Sequence, residues 1–146
     1  VLHEAGITPL FNGSCTIQIQ GHPLTLSGCE DPWAPDPWSP PLAPAGQPLI
    51  VLAHSADNIY TLSQAGAQAV FSGHYHAGQF RLPGIGSLVV PSRYGRRFDQ
   101  GHFVVRGTHL YVSAGVGAAA PALRLYCQPD IQILDFDPDS GEREAR

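Results

Sequence analysis

The clearest fold signal lies in residues 49–76, which read LIVLAHSADNIYTLSQAGAQAVFSGHYH. The first five residues form an unbroken apolar run, which is typical of a strand buried on both faces. Ser55 or Asp57 can then cap a short helix that ends near Gly66. A second short apolar strand follows at 69–72. Because the connections are short, the pattern predicts two parallel strands joined by a helix.

Strand patterns flank this unit on both sides. Upstream, residues 15–20 alternate in polarity and turn at Gly21-His22 into the run 23–27, which indicates a hairpin. A short strand is also predicted at 7–12. Downstream, glycine-rich turns separate four further predicted strands, at 87–91, 101–105, 109–113 and 131–136. We therefore predict an α/β fold with a mixed sheet.

A proline-rich segment interrupts the chain before residue 49. Residues 32–48 contain seven of the fourteen prolines, together with Trp33 and Trp38. Proline is excluded from helix interiors and central strands, so this segment is predicted to be an extended surface loop. A linker between domains is disfavoured, because the residues before it are too few to fold alone. With a frayed polar tail at 138–146, residues 1–146 are predicted to form a single, partial domain.

Composition narrows the classes of partner. The 146 residues carry a formal net charge of −4, which argues against nucleic acid as the main partner. No apolar run approaches the roughly 20 residues that a membrane-spanning helix needs. The three cysteines lack the paired spacing of a zinc ribbon. The chain begins at Val1 and contains no methionine, which favours a fragment of a longer protein.

Histidines follow the two central strands at the point where each strand ends. His54 comes directly after 49–53, and His74 and His76 follow 69–72 in the sequence Gly-His-Tyr-His. Because the carboxyl ends of parallel strands meet at one edge of a sheet, His54 and His74 are expected to converge there. Neutral imidazole is a preferred ligand for Zn, Mn or Fe ions. The sequence therefore predicts a metal site at this edge.

An ordered series of motifs extends this hypothesis. The series comprises LIVLAHSAD (49–57), VFSGHYHAGQFRLPG (70–84), PSRYGRRFDQG (91–101), LYVSAGVG (110–117) and LRLYCQPDI (123–131), preceded by ITPLFN (7–12) and GCEDPW (28–33). It resembles the C-terminal half of calcineurin-like metallophosphoesterases, in particular a bacterial subgroup that often carries membrane anchors or export signals. The resemblance implies half of a four-layer α/β/β/α sandwich. The family's earlier Asp-x-His, Gly-Asp-x-x-Asp and Gly-Asn-His motifs do not occur in this sequence.

The resemblance also implies roles for individual residues. His54 and His74 would bind one divalent metal ion and His76 a second, the ions being Mn, Zn or Fe. Asp57 would orient His54, unless it only caps the helix, and Gln79 would support the metal ligands. Four arginines would hold phosphate groups, with solvated surface charge as the alternative for each: Arg81, Arg93, Arg96 and Arg97. Because most carboxylate ligands are absent, the chain alone is expected to lack turnover.

Several functions and partners stay open at this stage. Members of the family split phosphomonoesters, phosphodiesters or the pyrophosphate of nucleotide-linked lipids. The missing N-terminal half of the domain would be a partner of this chain. Trp33 and Trp38 offer a peripheral membrane contact. The expected location is the cytoplasm or the membrane of a bacterium. One rival is a cupin-like metal-binding barrel, suggested by the His-x-His motif, Gln79 and His102. A second rival is a non-catalytic binding module that retains a vestigial site.

Overall fold

The computed structural model describes residues 2–34 and 43–135. The central element of this part of the chain is a mixed sheet of six strands. In chain order the elements are β1 (Ser14–Ile19), β2 (His22–Cys29), β3 (Leu49–Ala53), α1 (Ile59–Gln64), β4 (Ala69–Ser72), β5 (Arg81–Leu82), β6 (Gly86–Ser87), β7 (Gly101–Val105) and β8 (Thr108–Val112). Short 3₁₀ turns cover His3–Ala5, Ala56–Asn58, His76–Gly78 and Gly95–Phe98. The strand order is β1-β2-β3-β4-β8-β7, while β5 and β6 form a separate hairpin.

The middle of the sheet is parallel. β2, β3, β4 and β8 run in the same direction, and β1 and β7 pair antiparallel at the two outer edges. The predicted strand–helix–strand unit is confirmed, because β3 and β4 are parallel neighbours with α1 between them in the chain. The predicted α/β class with a mixed sheet is confirmed as well. Parallel central strands and an intervening helix do not fit the cupin alternative.

The core lies where α1 covers one face of the sheet. Val51, Val70 and Leu110 come from three adjacent strands and are fully buried, and they belong to one cluster with Ile59 and Leu62 of α1. Ile59 and Leu62 are three residues apart and therefore lie on the same side of the helix. Burying each such side chain contributes roughly 1.5–3 kcal/mol, so this packing fixes α1 and the loop before it against the strands.

Two predicted strands are absent from the described residues. At 7–12 the chain turns instead, since the Gly13 N–H donates to the Leu10 carbonyl and Phe11 has a positive φ of 45°. Residues 131–135 do not pair with the sheet, and Ile133 is 88% exposed. Their neighbour β8 already has β4 on one side and β7 on the other, so no edge of β8 is free for another strand.

Two other predicted strands differ in extent and in partner. The run at 87–91 shortens to β6, which forms a small hairpin with β5. β2 runs on to Cys29 and pairs parallel with β3, in addition to its hairpin with β1. Gly28 near its end is required, because a Cβ there would lie 2.2 Å from the Phe11 carbonyl oxygen. This extension brings the end of β2 to the same edge as the end of β3.

The loop predicted at 32–48 and the tail predicted at 138–146 extend beyond what is described. Residues 35–42 and 136–146 lie outside the described residues, whereas 32–34 and 43–48 form neither helix nor strand. Within 2–34 and 43–135, no helix combines the length and the apolar character needed to cross a membrane.

Candidate metal centre

Three parallel strands end side by side and place three potential ligands at one edge. β2 ends two residues before Asp31, β3 ends directly before His54, and β4 ends two residues before His74. Backbone hydrogen bonds continue across this edge: the His54 N–H donates to the Cys29 carbonyl at 3.3 Å, and the Gly73 N–H donates to the His54 carbonyl at 3.2 Å. The strand ends are therefore held in register, and the side chains that follow them converge.

The convergence is close enough for a shared ion. The ring centroids of His54 and His74 are 4.3 Å apart. Nε2 of His54 lies 3.8 Å from Oδ2 of Asp31, and one ligand atom from each of the three residues lies within 4.8 Å of the others. Both imidazoles are exposed, while the Asp31 side chain is 14% exposed. Two imidazoles and a carboxylate form a donor set that suits Zn, Mn or Fe, so the residues fit a divalent ion.

The electrostatics of the site favour the ligand form of His74. Partial burial of its ring lowers the pKa of His74 below 6.5, and the neighbouring His54 lowers it further, while Asp31 opposes this effect. The lowered pKa favours the uncharged imidazole at neutral pH. A metal ion binds only that form of the ring, so the same shift favours metal binding by His74.

Asp31 is the functional candidate that the sequence reasoning missed. Its carboxylate accepts a hydrogen bond from the buried Ser55 hydroxyl through Oδ1, which leaves Oδ2 directed toward His54. The sequence predicts residues 23–27 only as one strand of a hairpin, which assigns no position to Asp31 four residues later. The signal available in the sequence was the GCEDPW motif (28–33), which contains Asp31. Only the extension of β2 to Cys29 places Asp31 two residues after a strand end, in the same relation that His74 has to β4.

A buried polar network supports the loops that carry the histidines. Tyr75 lies between His74 and His76 in the chain but points into the core, and its hydroxyl accepts the Ala56 N–H at 2.9 Å. The loop after β4 is thereby attached to the loop after β3. Burial raises the pKa of Tyr75, so its hydroxyl stays protonated at neutral pH.

Asp57 belongs to the same network rather than to the ligand cluster. Its Oδ1 accepts the Ser92 hydroxyl at 2.6 Å, and its N–H donates to the Ser55 hydroxyl at 3.4 Å. Its Oδ2 is buried without a hydrogen-bond partner among residues 2–34 and 43–135. Ser55 rather than Asp57 caps the 3₁₀ turn Ala56–Asn58. The orienting role predicted for Asp57 stays a prediction.

His76 stands apart from the Asp31, His54 and His74 cluster within the described chain. Its backbone has a positive φ of 48°, and its carbonyl accepts a hydrogen bond from the Cys127 thiol at 3.1 Å. Gly78 completes the turn, since a Cβ there would lie 2.7 Å from the Val89 carbonyl oxygen. His76 is thus held against a different part of the loop region, and its predicted role as the ligand of a second ion stays a prediction.

Comparison with known proteins finds two curated relatives of this chain. Phosphodiesterase YaeI of Escherichia coli (strain K12) is 34% identical over 135 residues, which are 92% of this chain and 49% of that protein. The uncharacterized metallophosphoesterase YkuE of Bacillus subtilis (strain 168) is 28% identical over 138 residues, 92% of this chain and 48% of that protein. The chain is homologous to metallophosphoesterases. It spans about half the length of these curated relatives. No family model matches the chain, and no solved structure matches it.

The remaining predicted site residues of this metallophosphoesterase homologue have partners of their own. The buried Gln79 contacts the segment 119–123, where its Nε2 donates to the Pro121 carbonyl at 3.3 Å. The Arg81 guanidinium contacts Asp99 at 2.8 Å. Two arginines lie over aromatic rings at 5.2 Å, Arg93 over Trp33 and Arg97 over Phe98. The guanidinium of Arg96 donates to the Ile85 carbonyl at 2.9 Å. Gln79 and Arg81 therefore have defined structural contacts, and their predicted roles toward metal and phosphate stay predictions.

Proposed function

We propose that this chain supplies the histidine-bearing half of a metal-dependent phosphoester hydrolase. The observation that carries the proposal is the convergence of His54 and His74 at the carboxyl edge of parallel strands, in a homologue of metallophosphoesterases. His54 and His74 would hold one divalent ion and His76 a second. Mn, Zn and Fe all suit imidazole ligands.

The chemistry follows from the properties of the ligands. Divalent ions at such a site supply Lewis acidity toward phosphoryl oxygens and lower the pKa of an attacking water. Imidazoles bind these ions without adding negative charge beside an anionic phosphate. The exposure of His54 and His74 leaves the ligand side of the edge open to a substrate. The arginines Arg93 and Arg97 are also exposed and would supply charge for phosphate binding.

The name of one relative supports a choice of substrate class. One relative is named a phosphodiesterase, which favours a phosphodiester over a phosphomonoester or the pyrophosphate of a nucleotide-linked lipid. Because the relatives are about twice as long as the segment they share with this chain, we propose that the other ligands of a two-ion site come from residues outside that segment. We also propose a bacterial cytoplasmic or membrane-associated location, with exposed Trp33 available for peripheral membrane contact.

The test of the metal assignment is calorimetric titration of the chain with Mn²⁺ or Zn²⁺. The wild type should bind, and His74→Ala should bind much more weakly. His22→Ala is a matched control, because His22 is also exposed but lies at the opposite end of β2. Identical isotherms for the wild type and His74→Ala would contradict the assignment.

The test of the activity compares this chain with a version extended upstream. With bis-p-nitrophenyl phosphate and Mn²⁺, the extended protein should turn over and residues 1–146 alone should not. Metal-dependent turnover by residues 1–146, abolished in His76→Ala, would show that no ligands from outside the shared segment are needed. Metal binding without turnover in the extended protein would favour a non-catalytic binding module.

A further inference from the structure

Asp31 is arranged in a way that a simple ion pair with His54 does not explain. The separation of 3.8 Å between Oδ2 of Asp31 and Nε2 of His54 is too long for a hydrogen bond. Oδ1 is already engaged by the hydroxyl of Ser55, a buried residue that also caps the turn after β3. The carboxylate is therefore fixed on one side and directed toward the imidazole on the other, with a gap between them.

The gap has the size that a shared metal ion requires. Ligand atoms bound about 2.1 Å from one ion lie roughly 3–4 Å from each other. The Asp31–His54 separation falls in this range, and the whole cluster with His74 fits within 4.8 Å, so small side-chain rotations bring all three atoms onto one ion. We propose that Asp31 is the third ligand of the ion held by His54 and His74. This inference rests on the proposed function and adds a ligand that the resemblance did not include.

The third ligand changes what this chain can do by itself. Two imidazoles leave the charge of a divalent ion uncompensated, whereas a carboxylate offsets part of it and completes one face of a tetrahedral or octahedral site. The Ser55 hydroxyl orients the carboxylate in the way that outer partners orient metal ligands. The chain alone should therefore hold one divalent ion, although the proposed second ion at His76 lacks such partners among the described residues.

The test is a titration of residues 1–146 with Co²⁺, followed by visible absorption. Asp31→Asn keeps the size of the side chain and should weaken binding at least tenfold, because loss of even outer partners costs about 10–100-fold. Glu30→Gln is the matched control, since it removes the same charge from an adjacent exposed residue, and its affinity should stay within about twofold of wild type. Circular dichroism of each variant checks that the fold is retained.

A second variant reports direct contact even if Asp31→Asn is destabilised. Asp31→Cys should add a cobalt–thiolate charge-transfer band that is absent from the wild type, because only a residue bound to the ion gives that signal. Three results together would overturn the third ligand and leave the proposed function intact. Co²⁺ binding would be unchanged in Asp31→Asn, the new band would be absent from Asp31→Cys, and binding would be lost in His74→Ala. Absence of Co²⁺ binding by the wild type would overturn both the third ligand and the metal assignment of His54 and His74.

Discussion

The hydroxyl of Tyr75 is expected to stabilise the connection between the two histidine loops. In Tyr75→Phe the ring remains, but the Ala56 N–H loses its acceptor at 2.9 Å. Tyr75 is 2% exposed and Ala56 is 0% exposed, so water cannot replace the hydroxyl without opening the structure. A buried donor left without a partner costs about 1–3 kcal/mol. The free energy of unfolding should fall by that amount.

The measurement is urea unfolding followed by circular dichroism. With an m-value of about 2 kcal/mol/M, a loss of about 2 kcal/mol lowers the midpoint by about 1 M urea. Amide hydrogen exchange provides a local reading, because the Ala56 N–H should exchange faster in Tyr75→Phe. The amides of β8, which lies outside this network, should lose protection only as far as global stability falls.

Tyr126→Phe is the matched control. Tyr126 is 71% exposed, so removal of its hydroxyl should change stability by less than about 0.5 kcal/mol. If Tyr75→Phe and Tyr126→Phe have the same midpoint, or if Ala56 stays protected in Tyr75→Phe, the hydroxyl does not hold the two loops together.

Three further predictions concern other parts of the chain. Burial lowers the pKa of His102, and electrostatic interaction with the stacked His109 ring lowers it further. In His109→Asn the His102 pKa, followed by NMR, should rise toward 6.5, and an unchanged or lower pKa would contradict this. Asp99→Asn weakens the partly buried contact with Arg81 and should lower the free energy of unfolding, measured in urea, by about 1–3 kcal/mol. An unchanged urea midpoint would contradict this prediction. Burial raises the pKa of the Cys29 thiol from 9.0 to about 11, so its stabilising contribution is complete below pH 9 and is lost as pH rises through 11. The decline in urea midpoint over that range should be smaller in Cys29→Ala than in the wild type, and equal declines would exclude Cys29 as the cause.

Local patterns were sufficient for the elements that carry His54 and His74. The apolar run of β3 and the short apolar strand β4 each depend on neighbouring residues, and the structure has them at the predicted positions. Of the two residues predicted to cap the helix, Ser55 caps the 3₁₀ turn that precedes α1. The strand predicted at 101–105 is also β7, with its boundaries unchanged. These elements are encoded within a few residues, because side-chain periodicity and turn chemistry act over that distance.

The position of Asp31 depends on a pairing that no local pattern reports. The ladder between β2 and β3 joins residues more than twenty positions apart across the proline-rich loop, and only this ladder brings Asp31 beside His54. The same limit explains residues 131–135 of the strand predicted at 131–136, because β8 is paired on both sides and has no free edge to offer.

The sequence by itself determined the parallel unit, its helix and the two histidines at one edge, because those features follow from residues close together in the chain. Only the tertiary structure decided which distant groups face each other: Asp31 toward His54, Arg81 toward Asp99, and Tyr75 toward Ala56. The physical reason is that backbone hydrogen bonds and buried polar contacts are made wherever the folded chain supplies a partner, and distance along the sequence does not specify that partner.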